Sequence, residues 1–587
     1  YNTVEGGYNV GGIVGSISNN TTVANASNEG VVKANGFTTD YYIYHTDYTG
    51  NSWQNNNGAL PGTHKAEVRA ANVGGIVGSS AGSELKDVTN KADVSSALVK
   101  KTTGKNDPTG FDHYAAGNVG GIVGRAEDSN ITNANNVESN IRGAMNVGGI
   151  AGYFGSTDAT NKNKKDYRIL NAINNGGDIM ATGGIKKDGS FTQEITHKES
   201  YITGNIGGIA GYLYGVPVRI EAGGNRGDVH TAADTSKRTS QAVNVGGIVG
   251  KIDMPKKTDS NGVRLTDDNR LEIIKGNATD AAGKSGYASA AVSSSYNTGN
   301  VTGYTNIGGI GGFAYNGSIA ASYNVGDIKT TRHDAASNGV TPINMGGILG
   351  ESTEMAIGRV IIYDTYNKGT IGDSSYNTYG RHVGGIVGRL SGIVEKSYNN
   401  GDIYNGFNVV GGIAGYWYSG YLKNVFNTGN ITVYNKNNAP SQVGGIVGSV
   451  DLSGNNLSSG TNAAFSISNA YNLGSLRSFK GDVKYNEVGG ILGGTFKHGG
   501  TINRLKISNA YTMGNIYVDD GGFVGDIVGA FDRGTNRSFV DFENVYYIRP
   551  QADNGYFDLA SAPNSGYLQK NAKVIDYDKL NDPSQWS

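Results

Sequence analysis

Two aromatic clusters hold the side chains best suited to meet a ligand. One places Tyr41, Tyr42, Tyr44, Tyr48 and Trp53 within residues 36–70. The other reads Tyr416-Trp417-Tyr418-Ser419-Gly420-Tyr421. Aromatic rings beside polar groups stack on sugar faces and anchor protein partners. The same rings can instead pack an insertion against the body of the protein, and both readings stand for residues 41–53. For Tyr416, the small Ala414 two residues earlier points to a packed layer. Tyr41, Tyr42, Tyr44, Trp53, Tyr416, Trp417 and Tyr418 are carried forward as ligand-binding candidates.

Catalytic constellations are harder to build. A zincin peptidase needs His-Glu-x-x-His, which sets two imidazoles on one helix face. The eight histidines are His45, His64, His113, His197, His230, His333, His382 and His498. None precedes Glu or lies four residues from another. Cleaving or eliminating polysaccharide on a β-rod needs two or three carboxylates, or a carboxylate with Arg, on neighbouring strands. Asp267, Asp268 and Arg270 form one local cluster and Asp519 with Asp520 another, but solvated turns explain both. Gly78-Ser79-Ser80-Ala81-Gly82 matches Gly-x-Ser-x-Gly without the strand-to-helix elbow that exposes a nucleophile. Gly283-Lys284-Ser285 has the tail of a P-loop, but Ala278 stands at the leading Gly position. Neither an EF-hand loop nor a Gly-Gly-x-Gly-x-Asp repeat is present. The expectation is a non-enzyme with no catalytic, cofactor-binding or metal-binding residue.

Composition narrows the class. The 587 residues include 93 Gly, 9 Pro, 36 Tyr and no Cys. Glycine is far above its ordinary share of about 7%, yet without the three-residue period of collagen. Absence of Cys removes disulfides, Cys-based zinc sites and Cys nucleophiles. Hydrophobic residues at 37% and charged residues at 17% do not describe a disordered tail. A net charge of -1 offers no general attraction to nucleic acid or anionic membrane. No apolar run is long enough for a membrane-spanning helix. The sequence opens on Tyr1 and reads as a piece of a longer precursor.

The elements that must position any site come from a repeat. Val-Gly-Gly-Ile-Val-Gly recurs from Val10 to Val488 in twelve copies, and a thirteenth, with Asp526 in place of the second Gly of the Gly-Gly pair, begins at Val524. A second element, Tyr-Asn-x-Gly-x-Ile/Val, accompanies it, as in Tyr323-Asn324-Val325-Gly326-Asp327-Ile328. The opening Tyr1-Asn2-Thr3 resembles this element. Each hexapeptide carries three Gly, at about 1 kcal/mol per helix position relative to Ala, so the units are not helices. Their β-branched and aromatic residues favour strands, and Asn-x-Gly supplies a turn. A unit this small cannot bury its own face and must stack on its copies.

The reading is all-β: an elongated parallel β-solenoid, or β-helix, of about 13 coils with loop insertions. At ~4.8 Å per coil it would be a rod about 60 Å long. The hexapeptide Ile should point inward, and the Tyr and Asn of the second element should form ladders. Where the fifth hexapeptide position is Ala (Ala151, Ala210, Ala414), the residue two further on is Tyr (Tyr153, Tyr212, Tyr416). Taken at strand period, this pairs small with large on one face. Residues 1–548 form the repeat region. Residues 549–587 lack the hexapeptide and are assigned as a C-terminal cap or junction over the last strand edge.

The Gly-Gly-Ile-Val-Gly core with its Tyr-Asn-x-Gly partner resembles the GLUG-type repeats of bacterial surface and secreted proteins. Such repeats occur in adhesin-like cell-wall proteins, and outside the catalytic domain of secreted IgA-specific zinc metallopeptidases. The resemblance implies an extracellular bacterial protein and brings no catalytic residue. The expected function is a non-catalytic surface module, adhesin or wall stalk, that displays binding loops on a rigid rod. The expected partner is a host or neighbouring-cell glycan or protein, or a wall component, with end-to-end self-association also open. Nucleic acid and membrane insertion are not expected. Two alternatives stand beside this: the substrate-positioning region of a secreted zinc metallopeptidase whose catalytic domain lies elsewhere, and a carbohydrate-active β-helix.

Overall fold

In the computed structural model the chain winds into thirteen parallel coils. The structure describes residues 2–34, 37–41, 66–69, 71–96, 99–101, 113–115, 117–143, 145–158, 163–181, 204–231, 244–254, 265–280, 283–331, 343–353, 359–375, 380–406, 408–435, 441–453, 465–479, 486–496, 503–518, 523–531, 539–549 and 573–576. Coil seven shows the plan in five strands: Asn306–Gly308, Gly311–Tyr315, Ser318–Ala320, Tyr323–Asn324 and Ile328–Thr330. We call these the first to fifth strands of a coil. First strands from Asn9–Gly11 to Phe523–Gly525 form one thirteen-stranded sheet. Every copy of the hexapeptide thus supplies one rung, including the decayed one. Fifth strands form an eight-stranded and a four-stranded sheet, linked by single bridges at Ile371. Val4–Gly6 pairs with Val32–Ala34 as a further fifth strand.

The interior is divided into two apolar columns. The hexapeptide Ile and the residue after it, Ile122 and Val123 in coil three, pack with Ile131 and Ala134 of the same coil. The Val that opens the hexapeptide faces the other way and packs against the fifth strand, as Val119 does beside Ile141. The Ile is fully buried in coils two to thirteen. Only Ile13, in the first coil, is 49% exposed.

Polar ladders hold the coils in register. The buried asparagines from Asn28 to Asn472 are joined by amide–amide hydrogen bonds of 2.7–2.9 Å, coil to coil. Most also donate to the carbonyl two residues on, as Asn324 does to Gly326 at 2.7 Å. Each buried amide is therefore satisfied within the stack. The ladder explains the Gly-Gly pair. A Cβ on Gly75 would stand 2.2 Å from the Gly121 carbonyl oxygen and 2.4 Å from the Asn90 amide. Outside, Tyr296, Tyr323, Tyr366, Tyr398, Phe426, Tyr471 and Tyr511 stack at centroid distances of 4.6–5.8 Å. Both expected ladders are present.

Two further ladders had not been expected. The residue before the hexapeptide is Asn in coils one to eight, and these side chains bond from Asn9 through Asn344, ending on His382. The corner between third and fourth strands has one residue at φ between 46° and 56° in every coil, from Asn25 to Asn544. Asn tolerates this left-handed backbone better than most side chains. At this corner Asn469 donates to Asn424 at 2.8 Å and Asn509 to Asn469 at 3.1 Å.

The expected pairing of Ala with Tyr on one face is overturned. In the second strand of coil three, Val123 and Ala126 both point into the core, while Arg125 and Glu127 point out. The strand changes phase at Gly124, where a Cβ would lie 2.3 Å from the backbone nitrogen of Val73. The true size partner is three residues on: Ala151 goes with Phe154, Ala210 with Leu213 and Ala414 with Trp417, all in the core. At Gly311 the space is filled instead by Leu349 of the next coil and Ile319 of the same coil.

Among the described residues one α-helix, α1 (Asp267–Lys275), lies outside the rod. Thr266 caps its start and Gly276 its end in left-handed geometry. Leu271 and Ile274 cover an apolar patch of Ala320, Ile361, Tyr363 and Ile393. Two buried arginines fasten this region. Arg219 bonds Asp166, Asp280 and the Ala288 carbonyl at 2.8–3.0 Å, and Arg270 bonds Asn316 and the Arg359 carbonyl at 2.8–3.0 Å. Arg219→Met removes the guanidinium that bonds buried Asp280 and one of three cations beside Asp166, and should cost about 3–5 kcal/mol. Hydrogen exchange should show the loss confined to residues 163–181, 218–231 and 265–292; unchanged protection there would refute the clasp.

At the far end, Val540–Arg549 pairs with Leu505–Thr512, and Lys573–Asp576 pairs in parallel with Tyr546–Arg549. Part of the C-terminal segment therefore lies along the last strand edge.

Candidate binding face

The coil has corners of fixed length and corners of variable length. First and second strands are always separated by two residues, Gly-Ile in nearly every coil. The left-handed residue always stands three before the ladder Asn position. A ladder tolerates no change in spacing, because a one-residue slip removes every side chain from its partners. Insertions enter elsewhere. At one edge, between fifth and first strands, extra sequence stands between residues 34 and 72, 96 and 118, 181 and 205, 231 and 244, and 330 and 344. At the other, between second and third strands, extra sequence stands between residues 155 and 167, 253 and 292, 353 and 360, and 451 and 465.

The first and second strands lie between these edges, and their outer side chains face one another. Glu351 accepts from Asn344 at 2.9 Å, and the Tyr416 ring lies 4.9 Å from His382. The two strands therefore form a concave face along the rod. Its second-strand column runs Arg125, Tyr153, Tyr212, Lys251, Phe313, Glu351, Arg389, Tyr416 through coils three to ten. Cations sit over rings: Arg125 lies 4.4 Å from the Tyr153 centroid, Lys251 4.8 Å from Tyr212 and Arg389 5.5 Å from Tyr418. Each also pairs with an acid: Arg125 with Glu127, Lys251 with Asp253, Arg389 with Glu351.

Electrostatics keep the phenols and the imidazole neutral. Burial, then the charge of Asp253, pushes the Tyr212 phenol well up; it donates to Asp253 at 2.9 Å. Burial, then Asp451, does the same for Tyr416, which donates to Asp451 at 3.0 Å. Burial and then the Arg381 and Arg389 charges hold His382 well below the usual imidazole range. Its Nδ1 meets Asn344 Oδ1 at 2.7 Å, an oxygen that only accepts, so Nδ1 carries the proton.

The sequence-derived candidates scatter. Tyr41 ends the strand Phe37–Tyr41, which pairs antiparallel with Ala66–Arg69. Tyr42, Tyr44 and Trp53 lie outside the described residues, as do Tyr48, Asp519, Asp520, His45, His64, His197, His333 and His498. Tyr416 and Tyr418 line the concave face, with ring centroids 6.4 Å apart. Trp417 is corrected: it is 0% exposed, donates Nε1 to the Ser419 carbonyl and meets the Phe465 ring edge-on. No ligand reaches it. Tyr418 is turned outward by a bulge, since Leu390 pairs with Trp417 but Ser391 with Ser419. Sequence reasoning missed the column as an outer surface because it read Tyr153, Tyr212 and Tyr416 as one packed layer with the Ala two residues before each.

No family model, curated protein or solved structure matches the chain.

The other motifs resolve into structure. Gly78–Gly82 lies in and beside the strand Val77–Ala81, with Ser80 bonded to Ser129. Asp267 pairs with Arg270 at 3.4 Å at the start of α1, and Lys284 with Asp166 at 3.4 Å. Carboxylates on the concave face stand on coils three, six, eight, eleven and twelve, each held by Arg, Lys, Asn, Gln or Tyr. Among the described residues, no three His, Asp or Glu are placed to hold a metal ion, and no helix is long and apolar enough to cross a membrane. Chemically, the face offers ring edges and guanidinium groups to an extended ligand, while the amides from Asn72 to Asn344 are buried in their own ladder.

Proposed function

We propose that this chain is a non-catalytic surface module of an exported bacterial protein, adhesin-like or a wall stalk. One observation carries the reading. Every long insertion enters at one of two edges, and these flank a concave face of rings and charges. The ladders make the coils stiff and hold their spacing; the edges are free to vary, and variable loops on a rigid scaffold are where binding residues collect. The likeness of the repeat to GLUG-type repeats supports extracellular placement. Glycan or protein on a host or neighbouring cell, or a component of the bacterial wall, is the ligand class that suits rings beside polar groups.

The test is binding of the intact chain to glycan arrays, host cells and bacterial wall preparations, with and without chelator. Metal-independent binding is expected. Arg389→Ala with Tyr418→Ala should weaken it at least tenfold with little change in folding. Failure to bind any of the three surfaces would remove the reading.

A further inference from the structure

We propose that the stacked tyrosines of the fourth strands are an oxidative cross-linking site, where neighbouring coils become joined by a carbon–carbon bond between rings. The pairs are Tyr323 with Tyr366, Tyr366 with Tyr398, and Tyr471 with Tyr511.

Geometry comes first. These residues are direct partners across parallel strands, so the pairing is fixed by the register of the whole rod. Their ring centroids lie 4.9, 5.1 and 5.0 Å apart, with planes within 2–7° of parallel. The rings are half-buried, each keeping an edge in solvent where an oxidant reaches it. No insertion enters between the left-handed corner and the fifth strand to shield them. The chain has 36 Tyr and no Cys, so a covalent staple between coils must use something other than sulfur.

The chemistry balances with an oxidant of the peroxide class acting through a haem peroxidase. Each phenol loses one electron to the peroxidase and one proton to water, giving a phenoxyl radical. Spin resides on oxygen and on the ring carbons ortho to it. Two radicals on adjacent coils swing together about their side-chain torsions and form an ortho–ortho bond. The hydrogen on each bonded carbon then moves to its oxygen, restoring two phenols. In sum, two tyrosines and one hydrogen peroxide give one linked pair and two waters. Phe426 interrupts the column, 4.6 Å from Tyr398 and 4.7 Å from Tyr471. It has no phenol, so Tyr398 and Tyr471, two coils apart, do not couple.

The experiment treats the full chain, at low concentration, with a haem peroxidase and hydrogen peroxide, then maps linked peptides by mass spectrometry. Links at the three named pairs are expected, each two hydrogens lighter than its component peptides together. Tyr366→Phe keeps the ring stack and should abolish both of its links while leaving Tyr471–Tyr511 intact. Links found only between chains, or only at tyrosines outside the column, would overturn the proposal. So would a Tyr366→Phe chain with the original link pattern.

Discussion

Asn324→Ala is expected to destabilise the rod by about 3–9 kcal/mol, although the side chain is small and touches no ligand. Asn324 is fully buried. Its Nδ2 donates to Gly326 O and Asn367 Oδ1, and its Oδ1 accepts from Asn297. The substitution strands three polar groups in the interior, each at about 1–3 kcal/mol. Because each coil contacts only its neighbours, the loss should centre on coils six to eight. Asn324→Asp sharpens the test. The introduced carboxylate faces two acceptor oxygens and a dry interior, which raise its folded pKa above the unfolded value of about 3.9. Its penalty is therefore present at neutral pH and vanishes as pH falls below the unfolded pKa. Urea unfolding should show Asn324→Asp recovering on acidification relative to Asn324→Ala. Equal pH dependence in the two variants would contradict the ladder.

Trp417→Ala is the second large effect, at about 3–5 kcal/mol from the cavity alone. The indole fills the core opposite Ala414, where other coils carry a larger residue, and its Nε1 loses the Ser419 carbonyl. Tyr418→Ala, one residue away but on the outer bulge, should cost below about 1 kcal/mol. Chemical denaturation of the two variants separates them. Comparable midpoints would mean that Trp417 is not a core residue. Any binding defect of Trp417→Ala would then track its unfolded fraction, whereas a defect of Tyr418→Ala would appear in fully folded protein.

These two neighbours show what the sequence could and could not reveal. Thirteen hexapeptides at spacings as short as 27 residues implied stacked coils, and the inward Ile and the Tyr-Asn ladders followed from β propensity and the need to satisfy buried amides. The strand phase did not follow. Strict alternation carried across Gly124 and its equivalents put Tyr153, Tyr212 and Tyr416 on one face with Ala151, Ala210 and Ala414; it fails because a glycine at a close backbone approach lets the strand turn without leaving the sheet. The correct partner at three residues was visible in Phe154, Leu213 and Trp417 but lay outside a period of two. The Asn ladder from Asn9 to Asn344 was also visible, one residue upstream of where the motif was cut. The left-handed corner was not, since Asn, Asp, Ser, Ala and Lys all occupy it. The concave face emerges only once outer side chains of two strands are seen to touch, as Tyr416 and His382 do.

The central claim is that ladder corners fix the rod while edge corners are free to carry loops. Two-residue insertions in one coil test it directly by urea unfolding. In coil three, a Gly-Ser pair placed after Ala144, at the edge between fifth and first strands, should leave the midpoint near that of the parent chain. The same pair placed between Gly121 and Ile122, at the ladder corner, should disconnect Asn136 from its setting and lower the midpoint sharply. Equal midpoints for the two insertions would contradict the account.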